Sequence, residues 1–399
     1  MADTDLDRLL EHPAVRRAVD FIRAHDETTL GHQMALTAIP APPFGESVRG
    51  DAMAELLSDA GVADVATDAE GNVHGVVPGT LDAPELVVAA HLDTVFPADT
   101  PLHVSRDGDL LRGPGISDDA RGLAVLLTLA SAFGDASLGT LRPLRFVATV
   151  GEEGPGNLRG VRHLFGPAGA ARRAGAFVSI DGGGLDEIVV RGVGSRRFRV
   201  TVRGTGGHSW LDWGIANPVH ALGAAIGVVS GLGLPQEPAT TLTVARWGGG
   251  TAVNAIPREA WIEVDTRSEA ESRLETLEEG LREAVRAAVE EENGRARGEG
   301  LVAEVSSMGI RPAGTTADTD PLVAAAMAAT RRVGGIPRFV SSSTDSNVPM
   351  SVGIPAVTLG GGGAAGNIHT PDEWYHNGSG VDGILRALYT VLLWTGVAE

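Results

Sequence analysis

Two adjacent glutamates after an apolar stretch are the residues in this sequence that most strongly indicate chemistry. Glu152 and Glu153 follow the apolar, β-branched run PLRFVATV at 143–150. Neighbouring carboxylates at the end of a buried strand repel each other unless a cation or a shared proton separates their roles. The pair therefore predicts that one glutamate ligates a metal ion and that the other moves protons.

Further candidate ligands share one feature, because each follows a predicted buried strand or lies in a loop near one. His91 and Asp93 follow LVVAA, Asp181 follows AFVSI, and His369 follows PAVTL in the loop NIHTPDEW. Asp118 lies in the loop GPGISDDARG, before an apolar helical segment. A solvated acidic loop is the alternative at any single site. Open α/β sheets bind ligands at the carboxyl ends of their strands, so the shared position favours one metal site there.

The residue types limit which metals fit this site. The chain has no cysteine, so zinc would be held by histidine nitrogens and carboxylate oxygens alone. One carboxylate can bridge two ions about 3.5 to 4 Å apart, and a lone zinc would need fewer ligands. We therefore expect two Zn²⁺ ions per subunit, with Co²⁺ or Mn²⁺ as alternatives. Asp93 lies two residues after His91, and we expect its carboxylate to orient that imidazole, with a turn cap as the alternative role.

Two kinds of predicted strand would position these residues. Continuously apolar runs, separated by helical patterns, predict a mostly parallel α/β sheet, and they span 86–90, 143–150, 176–180 and 355–359. Alternating runs predict a second sheet with one solvent-exposed face, and they span 196–204, 241–249 and 260–267. Helical segments around 216–231 and from 269 to about 292 complete a ferredoxin-like order. We therefore predict a catalytic domain formed by 1–192 and 309–399, interrupted by an inserted α+β domain at 193–308.

Charge and hydropathy exclude several classes of partner. The 32 basic and 51 acidic side chains give a formal net charge of -19, which repels nucleic acid and anionic membrane surfaces. The first residues lack the basic and apolar regions of a signal peptide, and no run of eighteen or more apolar residues occurs. We expect a cytoplasmic protein that binds neither nucleic acid nor membrane.

Taken in order along the chain, the motifs resemble those of the di-zinc metallopeptidases that include aminoacylase, glutamate-releasing carboxypeptidase and peptidase T. The resemblance covers almost the whole chain and is closest to the peptidase T-like branch. Its motifs are HLDT, GPGISDD, GEEG, SIDG, GGHS and a final HT, which contain His91, Asp118, Glu152, Asp181, His208 and His369 respectively.

The resemblance implies a role for each matching residue. His91 and Asp181 would hold one metal, Glu153 and His369 would hold the other, and Asp118 would bridge the two. Glu152 would be the general base, and the peptide bond from Asp118 to Asp119 would be cis.

Members of this family commonly use the inserted domain as a lid and dimer contact that supplies a histidine to the active site. His208 matches that histidine, and it would donate a hydrogen bond to the reacting carbonyl of a substrate bound by the partner subunit. Asn254 in NAIP and Arg267 in DTR match positions that hold the substrate's carbonyl or carboxylate. The resemblance therefore implies a homodimer.

The residue at 181 separates the branches of this family. Asp181 is more typical of aminopeptidases and dipeptidases, whereas glutamate there is typical of aminoacylases and glutamate-releasing carboxypeptidases. We therefore expect a peptidase that acts on small peptides near a free N-terminus. The alternatives are an N-acyl or carbamoyl amino acid hydrolase, a carboxypeptidase on the same scaffold, and a non-catalytic binding protein. A decayed enzyme would be expected to lose a ligand or the base, and every motif residue remains.

Overall fold

The computed structural model describes residues 2–399, which divide into two compact units. The first unit combines the chain up to Gly192 with Gly314–Glu399, and the second unit is Val193–Ala313. The second unit extends past position 308 because its last strand continues to Arg311. The chain thus leaves the first unit, forms the second and returns.

Helices and strands alternate irregularly up to Gly192. The helices are α1 (Ala2–Glu11), α2 (Pro13–Ala24), α3 (Asp26–Thr37), α4 (Ser47–Asp59), α5 (Ala120–Asp135) and α6 (Arg159–Phe165). The strands are β1 (Ala63–Thr67), β2 (Val73–Val77), β3 (Glu85–His91), β4 (Ser105–Asp107), β5 (Leu110–Arg112), β6 (Leu144–Thr149), β7 (Ala174–Ile180) and β8 (Glu187–Gly192).

The remainder of the chain forms the second unit and then completes the first. The second unit contains β9 (Gly194–Arg203), β10 (Gly207–His208), α7 (Pro218–Ser230), β11 (Thr240–Gly249), β12 (Ala255–Ile256), β13 (Glu259–Ser268), α8 (Glu271–Arg295) and β14 (Val302–Arg311). The last part contains β15 (Gly314–Thr315), α9 (Pro321–Arg332), β16 (Arg338–Ser342), α10 (Asn347–Ser351), β17 (Ala356–Leu359), β18 (Ala364–Gly366), β19 (Trp374–His376) and α11 (Gly380–Thr395).

The main sheet of the first unit has the strand order β1-β2-β6-β3-β7-β17-β8-β15, with β16 also paired to β8. The central strands β6, β3, β7 and β17 are mutually parallel, whereas β1, β2 and β15 pair antiparallel at the margins. The expected mostly parallel α/β sheet is therefore confirmed at its centre. All four apolar runs identified in the sequence form these central strands.

Strand β3 shows why this sheet lies between layers of helix. Successive side chains of a strand point to opposite faces, and every residue of β3 is buried. Leu86, Val88 and Ala90 pack in the cluster that contains α5, whereas Val87 and Ala89 pack in the cluster that contains α6 and α10. A strand buried on both faces needs apolar residues at every position, and the LVVAA run provides them.

The second unit is built on an antiparallel sheet with the order β11-β13-β9-β14. With α7 and α8 in their chain positions, this is the ferredoxin-like order that the sequence indicates. Phe198, Val200 and Val264 pack against the apolar faces of the two helices. Strand β11 alternates between exposed and less exposed residues, because its other face meets solvent.

A smaller sheet in the first unit joins β5, which precedes the loop that carries Asp118, to β19, which follows the loop that carries His369. It has the order β18-β19-β5-β4, and Trp374 of β19 pairs with Arg112 of β5. None of the helices among residues 2–399 has an apolar stretch long enough to cross a membrane.

Candidate metal centre

Parallel strands of the first unit end together at one edge of the sheet. His91, the last residue of β3, pairs with Thr149 at the end of β6. Ile180 at the end of β7 pairs with Leu359 at the end of β17, and Asp181 follows directly. Strand register alone therefore brings His91 and Asp181 to the same edge, together with the loops that follow β6 and β17.

Asp118 lies between two histidines that are far apart in sequence. Its Oδ1 is 2.9 Å from Nε2 of His91, and its Oδ2 is 3.0 Å from Nε2 of His369. The same His369 nitrogen is 2.9 Å from Oε1 of Glu153. Ligand atoms of His91, Asp118 and Glu153 all lie within 4.8 Å of one another. The structure therefore brings four of the five predicted ligands into direct polar contact.

Asp181, the fifth predicted ligand, lines the same cavity as Asp118. Burial, and then the negative charge of Asp118, raises the pKa of Asp181 to about 7. Burial also raises the pKa of the neighbouring Asp119 well above its ordinary value. Crowded, buried carboxylates are stable as anions only when a cation neutralises them. This excess of negative charge, together with a nitrogen and oxygen donor set that lacks sulfur, fits divalent metal ions such as Zn²⁺.

The two histidines hold protons tightly in the absence of metal. Burial alone would lower the pKa of His91, but its hydrogen bonds with Asp118 and Asp93 outweigh burial and raise it well above the ordinary value. Hydrogen bonds to Asp118 and then to Glu153 raise the pKa of His369 to about 10. His91 is buried, whereas the His369 side chain is 53% exposed. The two histidines therefore differ in their access to solvent.

Asp93 holds the loop that carries the paired glutamates. Its carboxylate accepts the backbone N–H groups of Glu152 and Glu153 at 2.9 and 2.8 Å. The atom nearest Nδ1 of His91 is the backbone oxygen of Asp93, at 2.9 Å, whereas the Asp93 carboxylate is 3.7 Å away. Asp93 is thus well placed to orient the imidazole, but through its carbonyl group. Its carboxylate is occupied by the glutamate loop, which the sequence interpretation did not anticipate.

Glu152 lies at the same sheet edge, next to Glu153, with both residues buried. Glu153 has extended backbone, and the Asp93 carboxylate accepts the N–H groups of both glutamates. The structure therefore places Glu152 in the same loop as the ligand Glu153, with its backbone held by Asp93.

Sequence reasoning missed two buried carboxylates that hold the loops of this site. Asp119 accepts N–H groups from His91, Gly122 and Gly182 at 3.0, 3.0 and 3.2 Å. Glu373, in the loop after His369, accepts N–H groups from the loop that carries Asp118. The cap that Asp119 provides at the start of α5 has a sequence signal, an aspartate three residues before Gly122. Glu373 has no comparable local signal. The peptide bond from Asp118 to Asp119 is cis, as the resemblance predicts.

A cavity of about 920 Å³ adjoins the ligand cluster. Asp118 and Asp181 form part of its wall, with a glycine segment at 182–184 and the hydroxyl side chains of Ser342 and Thr344. Such a volume is in the range of small-molecule binding sites. The first unit therefore provides room for a short substrate beside the predicted ligands.

His208 and Asn254, which were predicted to contact substrate, lie together in the second unit. Nδ1 of His208 accepts the backbone N–H groups of Trp210 and Leu211 at 3.2 and 3.4 Å. A ring nitrogen that accepts N–H bonds carries no proton, so the proton of the neutral imidazole lies on the exposed side, at Nε2. The backbone oxygen of Asn254 accepts the N–H of Ser209 at 3.0 Å.

Arg267, the third residue predicted to contact substrate, lies on β13 of the same unit and outside the β10–β12 pair that carries His208. Its Nε donates to the Asp265 carboxylate at 2.8 Å. The Arg267 side chain is 46% exposed. Part of the guanidinium group is thus already engaged by an acidic neighbour.

The chain matches the model of peptidase family M20/M25/M40 over residues 87–393. This span contains each predicted metal ligand and the second unit. A probable carboxypeptidase of Uncinocarpus reesii is 26% identical over 71% of this chain and 70% of its own length. A succinyl-diaminopimelate desuccinylase of Methylibium petroleiphilum is 31% identical over 49% of this chain and 55% of its own length.

Comparison with solved structures supports the same fold. The crystal structure of the aminopeptidase PepT from Bacillus cereus has a TM-score of 0.74 and is 23% identical. The match covers 92% of this chain and 98% of that chain. The likeness shows a shared fold over nearly the whole of both chains.

Metal affinity should increase with pH between about pH 6 and pH 8. His369, with a pKa of about 10, and Asp181, with a pKa of about 7, must lose protons before they can bind a cation. Each proton released raises the apparent affinity about tenfold per pH unit. Calorimetric titration with Zn²⁺ should therefore give heats that depend on the ionisation enthalpy of the buffer. Heats independent of buffer, with affinity independent of pH, would contradict this prediction.

Proposed function

The chain belongs to the M20/M25/M40 peptidase family, and from this membership we propose that it is a di-zinc peptidase that hydrolyses an amide bond in small peptides. The position of Asp118 carries the proposal. Its two carboxylate oxygens lie 2.9 and 3.0 Å from the Nε2 atoms of His91 and His369. A carboxylate that presents one oxygen to each of two ligand pairs is suited to bridge two metal ions.

In the proposed site, His91 and Asp181 would hold one ion, Glu153 and His369 would hold the other, and Asp118 would be a ligand of both. Two zinc ions bound there would supply Lewis acidity towards the substrate carbonyl and would lower the pKa of water to about 7. The contacts among these residues and their excess of negative charge support this assignment.

Glu152 is the proposed general base and acid. It accepts a proton from the attacking water and then passes that proton to the departing amine. Its burial and its place next to Glu153 in the chain support this role, as does the family resemblance, which assigns the general base to this position. The Asp93 carboxylate fixes the backbone of both glutamates, so that one can bind metal and the other can transfer protons.

His208 is proposed to stabilise the oxyanion that develops on the substrate carbonyl. The two N–H groups that Nδ1 accepts leave Nε2 as the protonated nitrogen, so the ring can donate a hydrogen bond. As the family resemblance implies, this donation would reach the active site of a partner subunit in a homodimer. Asn254 and Arg267 would bind the substrate's carbonyl and carboxylate, and Arg267 would share its guanidinium group with Asp265.

A free N-terminus on a short peptide is the proposed substrate feature, because Asp181 occupies the position that the resemblance links to aminopeptidases and dipeptidases. The fold shared with the aminopeptidase PepT supports this choice. The similarity to a desuccinylase favours the alternative, an N-acyl amino acid amidohydrolase, and that to a probable carboxypeptidase favours cleavage at a C-terminus. A cytoplasmic location is also part of the proposal, as is the homodimer that the family resemblance implies.

A matched set of substrates should separate these activities. We expect the zinc-loaded protein to cleave Leu-Gly and Leu-Gly-Gly, because both present a free α-amino group. N-acetyl-Leu-Gly should be cleaved poorly, whereas amidation of the C-terminus, which removes only the carboxylate proposed to contact Arg267, should reduce cleavage much less. Release of acetate from N-acetyl-Leu would favour the amidohydrolase, and loss of cleavage on amidation would favour the carboxypeptidase. Protein with two bound metals that cleaves none of these compounds would contradict the proposal.

Replacement of the proposed base should separate metal binding from turnover. Glu152→Ala should retain both metals but lose kcat by about 10²–10⁴-fold, because general acid and base catalysis contributes this much. Glu153→Ala is the matched control, and it should lose metal as well as activity. Metal analysis by mass spectrometry with steady-state kinetics on Leu-Gly measures both effects. A fully active Glu152→Ala protein would remove Glu152 from the mechanism.

Mixed dimers should reveal whether His208 acts on the partner's site. His208→Ala lacks the proposed donor, and Glu152→Ala lacks the base, so each homodimer should be nearly inactive. After subunit exchange, a heterodimer should contain one site with an intact base and an intact donor. Activity should rise towards about one quarter of wild type for random mixing of equal amounts, as two-fold symmetry requires. No recovery, with exchange verified by native mass spectrometry, would count against the shared site.

A further inference from the structure

Glu373 is a buried acid in the first unit that the proposed reaction does not use. It lies four residues after His369 and has no solvent exposure. Its Oε1 accepts the N–H groups of Ser117 and Asp118 at 2.8 and 2.9 Å, and its Oε2 accepts the N–H of Gly115 at 3.1 Å. One carboxylate thus satisfies three backbone donors of the loop that carries the proposed bridging ligand.

Backbone hydrogen bonds of Glu373 complete the connection between the two loops. Its carbonyl oxygen accepts the N–H of Gly113 at 3.0 Å, and its own N–H donates to Thr370 at 3.1 Å. Thr370 in turn donates its N–H to the carbonyl oxygen of Asn367 at 3.1 Å, which closes the turn around His369. The loop with His369 is therefore fastened to the loop with Asp118 through Glu373 as well as through the pairing of β19 with β5.

This connection explains how His369, an exposed predicted ligand, is held near Asp118. The His369 side chain is 53% exposed and its residue is not in a helix or strand, yet its Nε2 lies 3.0 Å from Asp118. His91, in contrast, is fixed by the end of β3 and by the Asp119 carboxylate. The position of His369 relative to Asp118 thus depends on the loop contacts much more than the position of His91 does.

We propose that Glu373 is a positioning residue that sets the spacing between His369 and Asp118 and thereby the affinity of the metal held by Glu153, His369 and Asp118. The inference rests on the proposed di-zinc function. Glu373 does not touch the metal or the substrate. It acts because a carboxylate that accepts several N–H groups fixes the backbone that precedes the bridging ligand.

Substitution of Glu373 by glutamine is the direct test. Glutamine keeps the shape but replaces one acceptor oxygen with an NH₂ group, which cannot accept the loop N–H groups. Loss of a residue that orients metal ligands typically costs 10- to 100-fold in metal affinity. In a calorimetric titration of metal-free protein with Zn²⁺, Glu373→Gln should weaken one binding step by this factor and change the other step much less.

Activity supplies a second readout that a role in folding alone would not produce. At limiting zinc, Glu373→Gln should lose turnover, and saturating zinc should restore kcat while KM for the peptide stays close to wild type. Glu373→Asp keeps the charge but shortens the side chain, and its zinc affinity should fall between that of glutamine and that of wild type.

The second unit offers a matched control. Glu292 is also a buried glutamate that accepts a backbone N–H, from Asn217 at 2.9 Å, and it forms an ion pair with Arg295. Glu292→Gln makes the same chemical change, and we expect it to leave both zinc-binding steps unaltered. Melting temperatures and circular dichroism of all variants report whether each one is folded.

The outcomes separate this inference from the proposed function. If the wild-type protein binds no zinc, or only one ion per chain, the di-zinc function itself is overturned. If the wild-type protein binds two ions and folded Glu373→Gln binds both with unchanged affinity, the positioning role is overturned. If Glu373→Gln does not fold, unchanged binding in Glu373→Asp overturns it. Failure of both variants to fold also overturns it, because Glu373 would then be required by the fold as a whole.

Discussion

Carboxylates that accept backbone N–H groups hold the candidate site together. Asp93, Asp119 and Glu373 are each fully buried, and each accepts N–H groups from segments that carry predicted metal ligands. A buried acid is stable only if its oxygens find donors, and main-chain N–H groups in loops need acceptors for the same reason. Here the loop N–H groups supply the donors that the buried acids need, and the acids supply the acceptors. The loops after the strands therefore have fixed positions without regular secondary structure.

The same arrangement gathers many acidic side chains in one region. The three acids that hold the loops lie in a region that already contains Asp118, Glu153 and Asp181, and burial raises the pKa of Asp119 well above its ordinary value. Burial and mutual repulsion raise the pKa of Asp181 to about 7, which shows how costly a further anion is there. Backbone dipoles relieve part of this cost, and divalent cations would relieve the rest. The buried acids that fix the loops, the backbone dipoles and the proposed metal ions therefore all contribute to the charge balance of this region.

The second unit is stabilised by a hydrophobic core of its own. Its core forms between one face of an antiparallel sheet and two helices, and the other face of that sheet meets solvent. His208 is presented on a short strand pair with Nδ1 already engaged by backbone donors, so its tautomer is set locally. Two independently packed units thus present different chemical groups, a cluster of acids and histidines in one and a hydrogen-bond donor in the other. Because each unit has its own core, the residues proposed to contact substrate in one unit and the proposed metal ligands in the other are positioned by separate packing.

Local patterns in the sequence determined the strands and the ligand types. A strand buried on both faces requires an unbroken apolar run, so LVVAA and AFVSI identified β3 and β7, and parallel pairing then placed His91 and Asp181 at one edge. The acceptor roles of Asp119 and Glu373, and the use of the Asp93 carbonyl in place of its carboxylate, were decided only by the tertiary structure. Glu373 is more than 250 residues from the N–H groups that it accepts. Hydrogen bonds over such separations depend on where the loops pack after the sheet has formed, and no periodicity or local propensity encodes that position.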